Sequence, residues 1–160
     1  MNNQVLNDER LSDLKNWIHL CIDDYFKLVV CPSDDFKPHI TISWINCAGN
    51  GQYHHRHNHP NSIISGVFYI DVDKDVDTIS FHKDEYNTVK FDSHEDDLNL
   101  YNSGEWQMSV QRGVLMLFPS SLTHSVPSVT SDKNRISLSF NVFVRGVLGN
   151  ERNKTLLPLR

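Results

Sequence analysis

Cysteine is scarce in this 160-residue chain: Cys21, Cys31 and Cys47 are scattered and odd in number. Neither a disulfide framework nor a paired-cysteine metal site is expected, and the thiols read as small buried hydrophobes in a reducing, cytoplasmic compartment. Long apolar runs are missing as well. No stretch reaches the 18 or so residues that a membrane-spanning helix needs. The opening MNNQVLNDERLSDLK is polar and acidic, which is wrong for a secretory leader. Positive charge is in deficit, with 15 Lys and Arg against 20 Asp and Glu for a net charge of −5. Nucleic acid and anionic membrane surfaces are therefore poor partners, while a small anion needs only a local positive site. No internal repeat or low-complexity segment is visible. The length suits a single domain over residues 1–160 with a real core.

What is present begins with one strong helical pattern over residues 8–29. Leu11, Leu14, Ile18, Cys21, Ile22, Tyr25 and Leu28 follow helical spacing. Asn7 or Asp8 is the expected cap, and Cys31-Pro32 the break. The remainder reads as short strands between turns: 39–46, 62–72, 78–83, 88–91, 105–111, 114–119, weakly 124–129, and most clearly RISLSFNVFV at 135–144. Arg112-Gly113 reads as a hairpin-like junction, and the tail from Gly146 as frayed. Many short strands after one helix predict an all-β core over 39–144, a jelly roll with the N-terminal helix packed outside.

Two patterns carry chemistry. In 135–144, alternate residues share a face. Ile136, Leu138, Phe140, Val142 and Val144 form an apolar face, and Arg135, Ser137, Ser139 and Asn141 dominate the other. The polar face is either simply wet or the lining of a pocket. In the second case Arg135 and Ser137 project together, a guanidinium and hydroxyl suited to a carboxylate. The other pattern is HHRHNHPN, with four histidines in six residues. His54 and His55 read as a solvated loop. His57 and His59, two apart on an extended segment before a Pro-Asn turn, make a metal half-site, and His124 is the candidate third ligand. Imidazoles suit iron, zinc, copper or nickel, and three ligands with open positions are a catalytic arrangement.

The ordered set His57-x-His59, SGVFYI, GVLMLFP, His124-x-Val-Pro and Arg135-x-Ser137 resembles the Fe(II)- and 2-oxoglutarate-dependent oxygenases, most closely a prolyl-hydroxylase-like group with an H-x-H-P-N-S-x-x-S-G-V-x-Y signature. The resemblance covers roughly residues 40–144. It implies a double-stranded β-helix, iron at His57 and His124, and Arg135 paired with the far carboxylate of 2-oxoglutarate. Ser137 and Tyr69 would hydrogen-bond that carboxylate, and Asn46 would contact the cosubstrate. Tyr69 shares a strand face with Ser65 and Val67. The implied reaction hydroxylates a C–H bond of a protein or small molecule, using O2 and 2-oxoglutarate.

One position departs from the family pattern, because His59 stands where a carboxylate ligand is usual. His59 is then a third imidazole ligand, or an outer group leaving room for water, or it yields to a carboxylate such as Asp71. Leu115, Leu117 and Phe118 are candidate wall residues, and Trp44 and Trp106 core or rim aromatics. Three other classes fit the same residues: a three-histidine cupin-type dioxygenase without 2-oxoglutarate, a non-catalytic jelly roll holding a metal or small acid, and a viral structural module.

Overall fold

The computed structural model describes residues 2–33, 35–83, 93–99 and 101–159. The expected strand at 88–91 lies outside the described residues. The N-terminal apolar pattern forms α1 over Ser12–Tyr25, preceded by a 3-10 turn at Glu9–Leu11 and followed by a π-turn at Phe26–Val30. Asp8 caps the 3-10 turn by accepting from the Arg10 backbone N–H. The wider π-turn breaks the 3.6-residue period. Phe26 therefore takes the core position against Phe36, with ring centroids 5.1 Å apart, and Leu28 faces solvent. Cys31, in a left-handed conformation, ends the element. Cys31 and Cys47 are exposed, contrary to the expected burial; only Cys21 is half-buried.

Two antiparallel sheets follow. The first has the order β1 (Phe36–Ala48), β8 (Arg135–Leu148), β3 (Ile64–Asp71), β6 (Leu115–Pro119), with β9 (Leu157–Leu159) added to the far end of β8. The second has the order β2 (His54–His57), β7 (Thr123–Val126), β4 (Thr78–His82), β5 (Glu105–Ser109). This is the jelly roll expected from the strand count, in the double-stranded β-helix form that the family resemblance implies, with the helix outside. Three local expectations fail. Arg112-Gly113 is no hairpin, because β5 pairs with β4 and β6 with β3, so the chain changes sheet there. The tail is not frayed, since Leu157–Leu159 pairs with Gly146–Leu148. The histidine loop is a strand at His54–His57.

Strand β8 divides the interior. Leu138, Phe140, Val142 and Val144 are buried under Leu6, Ile18, Ile22 and Phe26. Each such side chain contributes roughly 1.5–3 kcal/mol on burial. The opposite face turns Arg135, Ser137 and Ser139 toward a cavity between the sheets. Val67, Tyr69, Ile79 and Phe118 line its inner wall and, with Val110 behind them, form a second apolar cluster. Leu115 and Leu117 alternate to the helix side, so of the three expected wall residues on β6 Phe118 lines this cavity.

Gly66 pairs across from Phe140, and a Cβ there would overlap the Phe140 ring. Phe140 is fully buried. Gly66→Ala is therefore expected to cost ~1–3 kcal/mol by overpacking, read as a lower denaturant midpoint with an unchanged slope. An unaltered midpoint would show that the ring has room to move.

Candidate active site

The β2–β7 pairing sets His57 opposite His124. Beyond β2 the chain turns through Pro60 and Asn61, with Asn61 in the left-handed region at φ 57°, which asparagine tolerates. The His59 backbone N–H donates to the Ser120 carbonyl at 3.0 Å. One ring nitrogen from each of His57, His59 and His124 then lies within 4.8 Å of the others. His57 and His124 have ring centroids 4.4 Å apart. His57 Nδ1 is 2.6 Å from the His55 carbonyl, and His124 Nδ1 is 3.1 Å from the Leu122 carbonyl. A carbonyl only accepts, so both rings carry a proton on Nδ1, and in the uncharged imidazole Nε2 is then the bare nitrogen. A metal-ligating histidine needs this arrangement, since the outer hydrogen bond fixes tautomer and ring orientation.

Burial favours the uncharged imidazole. It pushes His124 down to about 4, assisted by nearby His57, His59 and His54 and opposed by the Leu122 hydrogen bond. His59 is lowered by burial and then by His57. Phe118 packs edge-on to His124 at 4.9 Å, and Trp44 lies 5.9 Å from His59. Behind the turn, Ser120 is linked by 2.8 Å hydroxyl contacts to both Ser62 and Ser65, and Ser65 reaches Asn141 at 3.0 Å. This polar chain, buried at Ser65 and Ser120, ties the His57–His59 segment to β3 and β8.

The other end of the cavity holds Arg135, at 5% exposure. Its Nη1 donates to Asp77 Oδ1 at 3.2 Å and to the Pro127 carbonyl at 3.1 Å, while the buried Nη2 has no partner. Tyr69 and Ser137 are cross-strand neighbours, both buried, on the same wall. Burial pushes the Tyr69 phenol up, so it stays a hydrogen-bond donor. Asn46 sits opposite Ser137, its amide held by Trp44 Nε1 at 3.1 Å and Ser139 Oγ at 2.9 Å. All seven candidate residues from the sequence line one cavity of ≈ 90 Å³.

Asp71 does not join them: it is exposed at the end of β3, past a bulge. Among the described residues, no carboxylate belongs to the histidine cluster. Sequence reasoning missed His54 and Asp77. His54 lines the cavity because β2 carries one extra residue between His54 and His57 relative to β7. That bulge breaks the alternation that would turn them to opposite faces. Asp77 is one of four alternating acidic residues at 71–77, and nothing in the sequence marks it as the buried one.

The family model described as "Putative 2OG-Fe(II) oxygenase" matches residues 42–141. The chain belongs to this oxygenase family. Its fold is shared with solved structures at low identity. A 2OG-Fe(II) oxygenase family oxidoreductase from Burkholderia pseudomallei is 15% identical with TM-score 0.56, over 86% of this chain and 54% of that one. The non-heme monooxygenase ThoJ, in a nickel complex, is 12% identical with TM-score 0.52, over 89% and 62%. HygX from Streptomyces hygroscopicus is 10% identical with TM-score 0.50, over 79% and 66%. The chain thus spans less than two thirds of the first two. No curated protein sequence matches it significantly. Family membership implies Fe(II) and 2-oxoglutarate. The bare Nε2 atoms of His57 and His124 and the unpartnered Arg135 Nη2 are donors suited to a cation and a carboxylate.

The buried histidines also link stability to pH. His124 has a native value near 4 against an ordinary 6.5, so the unfolded chain takes up the proton first. Its stabilisation is complete above about 6.5 and lost as pH falls toward 4; His59 and His54 shift in the same direction. Urea midpoints of metal-free protein are expected to drop across that window, and His124→Gln to flatten the drop. An identical profile in the variant would contradict the assignment.

Proposed function

We propose that this chain is an Fe(II)- and 2-oxoglutarate-dependent dioxygenase that hydroxylates a C–H bond of a small-molecule or protein substrate. The observation that carries the reading is one cavity with three convergent imidazoles at one end and a buried guanidinium with an unused N–H at the other. His57, His59 and His124 would hold the iron. Arg135 Nη2, the Tyr69 phenol and the Ser137 hydroxyl would grip the far carboxylate of 2-oxoglutarate, with Asn46 and Trp44 along its side. When bound, iron and cosubstrate supply oxidative decarboxylation, consuming O2 and yielding succinate and carbon dioxide while one oxygen atom enters the substrate.

The protein's own part is orientation and exclusion of water. Pinned Nδ1 protons keep the ligand nitrogens aimed inward. Phe118, Val67 and Ile79 line the cavity with apolar surface. At ~10–15 Å³ per water-sized unit, the cavity admits a small acid and no peptide, so the substrate proper would meet the site from its mouth. Substrate contacts are placed in segment 73–102, of which residues 84–92 and 100 lie outside the described residues; loops over a rigid barrel commonly set specificity. The acidic balance disfavours nucleic acid as partner. The three free cysteines fit cytoplasmic residence. Among the described residues, no helix is long and apolar enough to cross a membrane.

The all-imidazole cluster favours one competing reading, a cupin-type dioxygenase in which Arg135 binds a substrate carboxylate and 2-oxoglutarate has no part. Product analysis separates the two. Iron-loaded chain is expected to convert 2-oxoglutarate to succinate, and Arg135→Ala to weaken 2-oxoglutarate by about 2–5 kcal/mol while iron uptake persists. Oxygen consumption without succinate would favour the cupin reading. Equal 2-oxoglutarate affinity in variant and wild type would remove Arg135 from the site.

A further inference from the structure

We propose that Asp77 is a built-in counterion that makes the Arg135 corner selective: it excludes free inorganic anions and admits an acid anchored at its other end. The proposal rests on reading Arg135 as the contact for the cosubstrate's far carboxylate. Asp77 and Arg135 are 4% and 5% exposed, and their closest charged atoms are 3.2 Å apart. A guanidinium so deeply buried needs a partner charge, and among the described residues Asp77 is the carboxylate that supplies it.

The carboxylate is itself held. Its Oδ2 accepts from the Asp73 N–H at 2.8 Å, its own N–H donates to the Asp73 carbonyl at 2.7 Å, and its carbonyl accepts from the Val110 N–H at 3.3 Å. It is therefore fixed at the entry to β4, where it engages Nη1 of the cavity-lining Arg135 and leaves the buried Nη2 without a partner. The corner thus offers a hydrogen-bond donor without a net charge. A small anion arriving from water loses its hydration and meets a neutral pair, which repays little. A diacid already held by the imidazole-bound ion brings its far carboxylate to Nη2 at high effective concentration. One N–H, with Tyr69 and Ser137 beside it, is then sufficient. Asp77 is a positioning residue, acting through Arg135.

Removing the carboxylate's charge should open the corner to any small anion. The test is thermal unfolding of the metal-free full chain in chloride, exchanged at constant ionic strength for the bulkier gluconate. Wild type and Asp77→Glu are expected to show no response, whereas Asp77→Asn is stabilised by chloride. With Mn(II) present, chloride should also compete with 2-oxoglutarate in Asp77→Asn, raising its apparent Kd about threefold once chloride reaches twice its own Kd. Wild type should be insensitive. An Asp77→Asn chain as indifferent to chloride as wild type overturns the proposal. Should Asp77→Asn fail to fold, the double variant Asp77→Asn with Arg135→Met, lacking both charges, is expected to fold and to ignore chloride. A double variant no better folded than the single one also overturns it. The two readings fail separately. Wild type that binds no 2-oxoglutarate while the chloride result holds sinks the proposed cosubstrate and keeps the counterion. Normal 2-oxoglutarate binding with a flat chloride response does the reverse.

Discussion

The antiparallel pairing of β2 with β7 is the constraint on which the site depends. It is a short ladder, four residues on each side, yet it sets His57 directly across from His124. Two carbonyls from the same segments, His55 and Leu122, then fix both rings in one tautomer. The ligand geometry is consequently a property of backbone pairing, and side-chain freedom contributes little to it. His59 comes in by a different route, through the Pro60–Asn61 turn and the hydrogen bond from its N–H to Ser120.

A rigid support is needed beneath so short a ladder, and β8 provides it by separating two chemistries. Its apolar face is sealed by the N-terminal helix, where most of the fully buried aliphatic side chains lie. Its polar face lines the cavity. Buried polar groups there are costly unless partnered. Ser62, Ser65, Ser120 and Asn141 satisfy one another, and Asp77 neutralises Arg135. The buried atom left over on that face is Arg135 Nη2.

Much of this was legible in the amino-acid order because β8 alternates strictly over residues 135–142, and because i, i+2 histidines before a Pro-Asn turn have few other arrangements. Arg135 and Ser137 follow from the same alternation. The cluster's third member is remote in sequence, and only its position after an apolar strand pointed to it. The failures have local causes. A π-turn displaced Leu28, a bulge brought His54 inward, and a change of sheet replaced the hairpin at Arg112-Gly113. Each breaks a periodicity that sequence reading assumes to be uniform. Asp77 was invisible for another reason: burial selects it from four similar acidic residues, and burial is decided by tertiary packing.

Whether three imidazoles bind one ion is the central claim, and X-ray absorption of the Fe(II)-loaded chain measures it directly. One iron per chain with the scattering signature of three imidazoles is predicted, falling to two in His59→Ala. A spectrum with two imidazoles that His59→Ala leaves unchanged would contradict the account.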